Sequence, residues 1–179
     1  LNNDGSFTYI HNDSENFTDQ FQYTLNDQDG CAVSGPFDVT ININPVNDCP
    51  TADDEGPYGP IVEEGVNNFI DINAANGLKV GDSDVEDDIA LLPITIVTPP
   101  RGTLSCLPPG VPQVPDNGIC LDGSFRYTNN GDEFITDSFT YTLKDGADCV
   151  SDVATVSFTI TPINDVPLIV QDTYSVIEN

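Results

Sequence analysis

Apolar and polar residues alternate along this chain in a series of short stretches. Phe139, Tyr141 and Leu143 are separated by single threonines, and Phe158 and Ile160 are spaced in the same way. A period of two, carried by aromatic and β-branched residues, is typical of half-buried strands in an antiparallel sheet. The pattern predicts strands near residues 59–64, 68–73, 77–81, 89–98, 102–107, 119–128, 137–144 and 153–161, and near 3–10, 20–26 and 36–44.

Three blocks of sequence occur twice, in the same order and about 118 residues apart. A near-constant offset between successive blocks indicates a tandem array of one repeated unit. We therefore expect residues 1–50 to be the C-terminal half of one repeat, 51–167 to be a complete repeat, and 168–179 to be the first strand of the next. The paired blocks are Asp4–Tyr9 with Asp122–Tyr127, Thr18–Asp27 with Thr136–Asp145, and Ile43–Pro50 with Ile160–Pro167.

The complete repeat has the strand density of a two-layered β protein. Seven or eight short strands in about 110 residues, with no helical stretch of about 10–12 residues, predict an all-β Greek-key β-sandwich. A β-helix would need a much shorter repeat. Residues 1–50 hold three predicted strands, and a sheet must bury its apolar face against another layer. We expect the missing strands to come from upstream chain or from a neighbouring molecule in a filament.

The charge balance is strongly acidic, with 30 Asp and Glu against 4 Lys and Arg and a net charge of −26. Such a surface repels nucleic acid and anionic membranes. No apolar run approaches the roughly 20 residues that a membrane helix needs, so we expect no membrane insertion by this segment. Halophilic surfaces and acidic disordered tails have similar charge. Disorder is disfavoured here because 38% of the residues are hydrophobic and they alternate regularly.

The acidic residues are concentrated in loops and are mostly aspartate. The chain has 23 Asp and 7 Glu, and they crowd into residues 53–55, 63–64 and 82–88. Calcium takes 6–8 oxygen ligands at about 2.3–2.6 Å, and short acidic loops supply them. The sequence therefore predicts Ca²⁺ as the cofactor.

Several motifs together resemble the cadherin-like, immunoglobulin-like tandem repeats of large bacterial surface and secreted adhesin-type proteins. The resemblance covers the whole chain. It implies a cadherin/Ig-like sandwich with Ca²⁺ bound at the junctions between repeats. The motifs are Asp122-Gly123-Ser124-Phe125 with Tyr127, Asp137-Ser138-Phe139-Thr140-Tyr141 followed by Asp145-Gly146, and Pro162-Ile163-Asn164-Asp165-Val166-Pro167.

The resemblance also implies ligands for two junctions. Glu63 or Glu64 matches the cadherin glutamate at the end of the first strand, as does Glu178, while Asp82 and Asp84 match its Asp-x-Asp loop. The cadherin Leu-Asp-Arg-Glu motif is absent and the linker is short, which favours one or two ions per junction. The first set is Asp19, Asn47, Asp48, Asp82, Asp84 and Asp145. The second, completed by residues beyond Asn179, is Glu63, Glu64, Asp137, Asn164 and Asp165.

Five cysteines without a Cys-x-x-Cys or Cys/His pattern predict disulfides in an oxidising, extracellular or cell-surface location. Cys106 and Cys120 flank one loop between strands that should be neighbours, so we pair them. In the sandwich topology Cys49 reaches the start of the last strand, where it can meet Cys149. A bridge from Cys31 to Cys49 would span a strand of roughly 30 Å, and we expect the partner of Cys31 to lie upstream of Leu1.

Three classes of function fit these features to different degrees. The first is a calcium-rigidified structural segment, a stalk, of a large extracellular adhesin or cell-surface filament protein. Its partners would be adjacent repeats of the same chain, with a cell-surface glycan or protein bound by another part of the parent. The alternative is a ligand-binding module that grips carbohydrate or protein through loops such as the proline-rich residues 107–115. No Gly-x-Ser-x-Gly motif or Gly-rich phosphate loop is present, and we expect no enzyme.

Overall fold

A computed structural model of the chain describes residues 2, 4–26, 34–106 and 117–178. It divides into two compact units, Leu1–Asp48 and Cys49–Asn179. Among the described residues the regular structure is nine β-strands and two short 3-10 helices, Ala74–Asn76 and Ile89–Leu91. The strands are β1 Thr18–Leu25, β2 Ser34–Asn42, β3 Glu55–Val62, β4 Phe69–Ile72, β5 Ile94–Thr98, β6 Thr103–Ser105, β7 Phe125–Thr128, β8 Thr136–Leu143 and β9 Ala154–Thr161.

The second unit is an all-β sandwich, as the alternation predicted. One sheet has the strand order β3-β9-β8-β5 and the other β4-β7-β6. The pair β3 and β9 is parallel, and the remaining ladders are antiparallel. The first strand of the unit thus lies beside the last, and the Pro162–Pro167 linker follows directly from β9.

Aromatic side chains from both sheets form the core of the second unit. Phe125, Tyr127, Phe139, Tyr141 and Phe158 are each at most 1% exposed. The rings of Tyr127 and Phe158 stack at 4.0 Å, while Phe125 meets Phe139 edge to face at 5.7 Å. Burial of one such ring stabilises the fold by about 1.5–3 kcal/mol, so the inward positions of β7, β8 and β9 fix the sandwich.

The first unit contains the hairpin of β1 and β2, which pairs antiparallel with Phe21 opposite Val39. Its apolar side chains hold the positions of core residues one repeat later but are far more exposed. Leu25 is 58% exposed whereas Leu143 is fully buried. The described residues of this unit therefore leave an apolar face exposed, whereas the corresponding face of β8 and β9 is buried within the second unit.

Two predicted strands do not form. Residues 77–81 follow the 3-10 helix Ala74–Asn76, which begins where the Asn73 side chain accepts a hydrogen bond from Ala75 N. Leu78 is nonetheless fully buried, so its apolar character reflects core packing outside a strand. Residues 3–10 form no ladder among the described residues, although Phe7 packs on Phe21 with the ring centroids 5.1 Å apart.

The predicted strand near 89–98 is divided into two elements. Its first half is the 3-10 helix Ile89–Leu91, capped by Asp88, whose side chain accepts from Ala90 N. The strand β5 starts only after Pro93. Proline has no N–H to donate to a ladder, so pairing begins at the next residue.

Two disulfides cross-link the second unit. Cys106 pairs with Cys120 and Cys49 with Cys149, and their Cα separations of 4.8 and 5.2 Å lie in the usual range of about 4.4–6.8 Å. These are the two pairs expected from the sequence, and Cys31 lies outside the described residues. The Cys49–Cys149 bridge spans 100 residues and ties the start of the unit to the turn that precedes β9.

Candidate metal centres

Three aspartates converge at one end of the second unit. Asp84 and Asp87 come from the loop between β4 and β5, and Asp145 comes from the turn after β8. One carboxylate oxygen of each lies within 4.8 Å of the others. Asp84 and Asp145 were both predicted as ligands of the first junction, whereas Asp87 was not.

Backbone amides hold these three carboxylates in place. Asp84 Oδ1 accepts from Asp87 N at 2.8 Å, and Asp145 Oδ1 accepts from Cys149 N at 2.7 Å. Asp87 Oδ2 accepts from Gly146 N at 2.9 Å, which links the two loops. Because Cys149 is bonded to Cys49, the disulfide also fixes the turn that carries Asp145.

The second carboxylate oxygen of Asp84, Oδ2, is buried and has no hydrogen-bond partner. A buried oxygen without a donor costs free energy, and the neighbouring carboxylates Asp87 and Asp145 add like-charge repulsion. A hard cation among the three groups would remove both costs, since carboxylate oxygens are the preferred ligands of Ca²⁺.

Asp82 belongs to a different local network, although it was predicted beside Asp84. Its two oxygens each accept from the Tyr141 hydroxyl at 3.2 Å, and Oδ1 also accepts from Asp53 N at 2.8 Å. Burial is the main cause that raises the pKa of Asp82 to about 6. This carboxyl therefore points into the unit and braces Tyr141.

A second acidic group lies at the other end of the second unit. Glu63, at the end of β3, is 2% exposed, and its Oε2 accepts from Ile163 N at 2.9 Å. Two neighbours raise the pKa of Glu133. The hydrogen bond with Asp165 is the larger cause, and the negative charge of Glu63 is the next. Glu63 and Asp165 were predicted as ligands of the second junction, and the structure brings them together through Glu133.

Glu133 was not among the residues predicted from the sequence, but the repeat carried a signal for it. Glu15 occupies the same position one repeat earlier, just as Asp48 matches Asp165. The carboxylate oxygens of Glu15 and Asp48 lie within 4.8 Å of each other in the first unit. The same acidic pair thus recurs at the same place in both units.

Asp137 and Asp19, the two predicted ligands at strand starts, both accept hydrogen bonds from the protein, and their role as ligands stays a prediction. Asp137 is 7% exposed, and four protein donors occupy its two oxygens. Burial raises its pKa, but hydrogen bonds led by that from Gly102 N outweigh burial and leave the pKa lowered. Asp19 accepts from the Tyr9 hydroxyl at 3.1 Å and from Gln20 N.

The remaining predicted ligands lie in the linkers or at the surface. The Asn47 side chain donates to Asp48 O at 2.9 Å, and Asn164 donates to Asp165 O at 3.0 Å. Identical bonds in the two linkers show that the repeated sequence folds in the same way locally. Glu64 is exposed beside the buried Glu63.

The second unit is a two-sheet sandwich, and three of its sequence blocks also occur in the first unit. The chain belongs to the bacterial Ig domain family, which matches residues 47–161. No curated protein matches the chain. Family and disulfides together indicate an extracellular or cell-surface structural repeat. Within the described ranges, no helix has the length and apolarity to cross a membrane.

Among solved structures, a similar chain is an endo-fucoidan hydrolase from glycoside hydrolase family 107. The identity is 18%, the TM-score is 0.42, and the match covers 83% of the present chain. It covers 19% of the hydrolase, so the chain spans about a fifth of that enzyme's length.

Proposed function

We propose that this chain is a calcium-rigidified structural segment, a stalk, of a large extracellular adhesin or cell-surface filament protein. The observation that carries the proposal is Asp84 Oδ2, which is buried without a hydrogen-bond partner beside the carboxylates of Asp87 and Asp145. Backbone amides donate a hydrogen bond to one oxygen of each aspartate, and one carboxylate oxygen of each lies within 4.8 Å of the others. A Ca²⁺ ion supplies the missing positive charge.

The second acidic group extends this function to the ends of the repeats. Glu63, Glu133 and Asp165 lie where β9 passes into the linker, and Glu15 and Asp48 lie at the matching place one repeat earlier. A cation at such a position bridges the body of a repeat and the chain that leaves it. Binding then restricts the linker, because the metal site forms only in one arrangement of the two.

A stalk of this kind needs stiffness, an acidic surface and no chemistry of its own. The net charge of −26 keeps successive repeats apart when no cation is bound, so Ca²⁺ would control extension. The partners in this proposal are adjacent repeats of the same chain, and catalysis is not part of it. The glycan or protein contacts of an adhesin belong to other parts of the parent.

The direct test is calorimetric titration of the thoroughly chelated chain with Ca²⁺. We expect binding and a rise in melting temperature, since an ion that binds only the folded state at 100 times its Kd stabilises by about 2.7 kcal/mol. Asp84→Asn should weaken the binding. Asp152→Asn, at an exposed aspartate outside the cluster, is the matched control and should bind as the parent chain does. Absence of binding, or equal weakening by both variants, would contradict the proposal.

The alternative function, a module that binds carbohydrate or protein through its loops, remains a prediction. Its main support was the proline-rich segment 107–115, which lies outside the described residues. A glycan array on the chain tests it separately from the calcium titration.

A further inference from the structure

The dipeptide Asn-Gly occurs three times in the second unit, at Asn76, Asn117 and Asn130. This dipeptide undergoes a spontaneous covalent change that needs only water. The glycine N attacks Cγ of the asparagine, the Cγ–Nδ2 bond breaks, and ammonia leaves with the proton of the glycine N–H. Water then opens the resulting succinimide ring at either of its carbonyls. Both products, aspartate and an isoaspartyl linkage, carry a new carboxylate.

Ring closure depends on the structure around the dipeptide. The glycine N must come within bonding reach of Cγ, and the side-chain amide must be able to turn towards it. A hydrogen bond from the glycine N–H, or one that holds the side-chain amide, therefore opposes the reaction. The three sites have the same two residues but differ in these restraints.

Asn76 is held by the backbone of its turn. It is the last residue of the 3-10 helix Ala74–Asn76, and Gly77 N donates to Ala74 O at 3.4 Å. Gly77 is also buried, and a Cβ at this position would lie 2.5 Å from Gly123 O. The nitrogen that would attack is therefore engaged and packed against a neighbouring loop.

Asn117 is held by its side chain. Its Nδ2 donates to Ile94 O at 2.8 Å, and its Oδ1 accepts from Ile119 N at 3.0 Å. Gly118 lies close to β6, since a Cβ there would lie 2.4 Å from Leu104 O. The amide must break both hydrogen bonds before its Cγ can turn towards Gly118 N.

Asn130 has neither of these restraints. Asn130 and Gly131 are both exposed, and the part of the chain that the structure describes offers no acceptor to Gly131 N. Within the same part, the Asn130 side chain makes one hydrogen bond, in which Oδ1 accepts from Asp132 N at 3.2 Å. A Cβ on Gly131 would have no atom within 4 Å, so the surroundings leave room for the ring.

The first unit contains the same turn with a different second residue. Asn12 occupies the position of Asn130 one repeat earlier, and its Oδ1 accepts from Ser14 N at 3.3 Å. Asp13 has φ of 57° and Gly131 has φ of 78°, so both lie in the left-handed region. The turn is a feature of the repeat, and only its second residue differs. The side chain of Asp13 crowds the attacking nitrogen, so Asn12 should react more slowly.

We propose that Asn130-Gly131 is a site of spontaneous deamidation in the folded protein, with water as the co-reactant. The site lies between two anchored residues, the buried Asn129 and Asp132, whose Oδ2 accepts from Arg101 Nε at 3.0 Å. An isoaspartyl linkage lengthens the backbone between them by one methylene. It also makes the accepting side-chain carbonyl of Asn130 part of the main chain. The reaction thus changes both the charge and the backbone of this loop.

The consequence for calcium rests on the proposed function, whereas the modification itself does not. Glu133 lies two residues after Gly131 and contacts Asp165 in the second acidic group. A longer backbone before Glu133 displaces it from this group. We therefore expect modified chains to show a smaller rise in melting temperature with Ca²⁺.

Peptide mapping by mass spectrometry tests the proposal on the full folded chain, incubated in mildly alkaline buffer below its melting temperature. Alkaline buffer speeds ring closure because the attacking nitrogen must lose its proton. We expect a carboxyl in place of the amide at Asn130. Asn76 and Asn117 should react at least about tenfold more slowly, since the hydrogen bonds that must break raise the barrier. A protein isoaspartate methyltransferase assay detects the isoaspartyl product.

The unfolded chain is the matched reference. In denaturant the three Asn-Gly pairs lose their structural restraints and should react at similar rates, so the preference for Asn130 should disappear. Asn12 should stay slower in both states, because glycine does not follow it. In the folded chain, Asn130→Gln should stop the reaction at this position and leave Asn76 and Asn117 as they are in the parent.

Two results would overturn the proposal. One is an equal rate at Asn130, Asn76 and Asn117 in the folded chain, and the other is an unreacted Asn130 after a time in which the unfolded chain has reacted. Melts of incubated parent and incubated Asn130→Gln, with Ca²⁺ and with chelator, test the calcium link. An equal rise in both would remove that link and leave the deamidation site standing. A calorimetric titration without calcium binding would remove the proposed function alone, so the failures can be told apart.

Discussion

The hydroxyl of Tyr127 donates a hydrogen bond to the carboxylate of Asp137 at 2.8 Å, inside the second unit. Tyr9 donates to Asp19 at 3.1 Å, so the same bond occurs one repeat earlier. The bond connects β7 with the start of β8, and Gly102 N donates to the same oxygen of Asp137 at 3.1 Å. Asp137 therefore joins three segments of the sandwich and accepts from the buried Tyr127 hydroxyl.

We predict that Asp137→Ala destabilises the chain by about 2–4 kcal/mol, because it removes a buried carboxylate that accepts four hydrogen bonds, among them those from the Tyr127 hydroxyl and Gly102 N. Chemical denaturation measures the change in free energy of unfolding. The folded-state pKa of Asp137 is lowered, so its contribution is present above the unfolded pKa and is lost as pH falls through the folded pKa. The calcium affinity of Asp137→Ala should equal that of the parent. A variant of unchanged stability but lost calcium binding would make Asp137 a ligand after all.

Asp82 gives the opposite pH dependence. Burial raises its pKa to about 6, so the folded chain binds a proton more tightly than the unfolded chain does. Below about pH 4 Asp82 is protonated in both states and does not change the free energy of unfolding. As pH rises towards 6 and above, its ionisation lowers the free energy of unfolding. We predict that Asp82→Asn, which can still accept from Tyr141, raises the free energy of unfolding at pH 7 by about 1–2 kcal/mol after allowance for solvent screening.

Denaturation curves at pH 4 and pH 7, both with chelator, measure this effect of Asp82. The gain should be present at pH 7 and absent at pH 4. Asp71→Asn is a useful contrast, because Arg126 lowers the pKa of that exposed carboxyl by a hydrogen bond at 2.6 Å. An equal gain at both pH values would show that the benefit of Asp82→Asn does not come from ionisation.

The strands were predictable where alternation was strict. For β9 the predicted 153–161 and the observed Ala154–Thr161 differ by one residue, since every second side chain faces the core. The prediction failed at 77–81 because Leu78 is buried although it lies in a turn, and burial alone does not define a strand. Periodicity describes which side chains are inside, while hydrogen bonding decides the element.

The candidate sites were predictable by segment but not by individual residue. Alternation along β8 places Asp137 on the same face as Phe139, and the structure buries it there. Glu63 contacts the linker through Ile163 N, but Glu133, which contacts Asp165, was not predicted. It lies four residues before Asp137 in an irregular loop, where no periodicity fixes the direction of a side chain. Asp82 and Asp84 also have different partners, because Asp82 accepts from the Tyr141 hydroxyl whereas Asp84 accepts from Glu86 N and Asp87 N.

Glu133 should respond to calcium in a way that Glu64 does not. The contact with Asp165 and the charge of Glu63 raise the pKa of Glu133, so these groups repel one another when no cation is bound. We predict that Glu133→Gln raises the melting temperature in chelator and reduces the additional rise produced by Ca²⁺. Thermal melts with and without Ca²⁺ measure both effects.

Glu64→Gln is the matched control, because Glu64 is exposed next to the buried Glu63 and its substitution removes the same charge. It should change the melting temperature less than Glu133→Gln does, both with Ca²⁺ and with chelator. If the two variants behave alike, the effect is one of net charge, and the acidic group at the end of β9 is not a site.

The disulfide between Cys49 and Cys149 should matter for calcium as well as for stability. In the chain-entropy model a closed loop of about 100 residues contributes about 4.7 kcal/mol, and one of about 15 residues contributes about 3 kcal/mol. We predict that replacing both Cys49 and Cys149 by Ser destabilises the chain more than the same change at Cys106 and Cys120. Denaturation of the two double variants compares the losses directly.

The calcium effect separates the two bridges more clearly than stability does. Cys149 N donates to Asp145 Oδ1 at 2.7 Å, so the Cys49–Cys149 bridge fixes the backbone that orients one member of the aspartate cluster. Its loss should weaken calcium binding under conditions where the chain is still folded, whereas loss of the Cys106–Cys120 bridge should leave the affinity unchanged. Titration of both double variants at low temperature provides the comparison. Equal affinities would mean that Asp145 is positioned by its own turn, without help from the bridge.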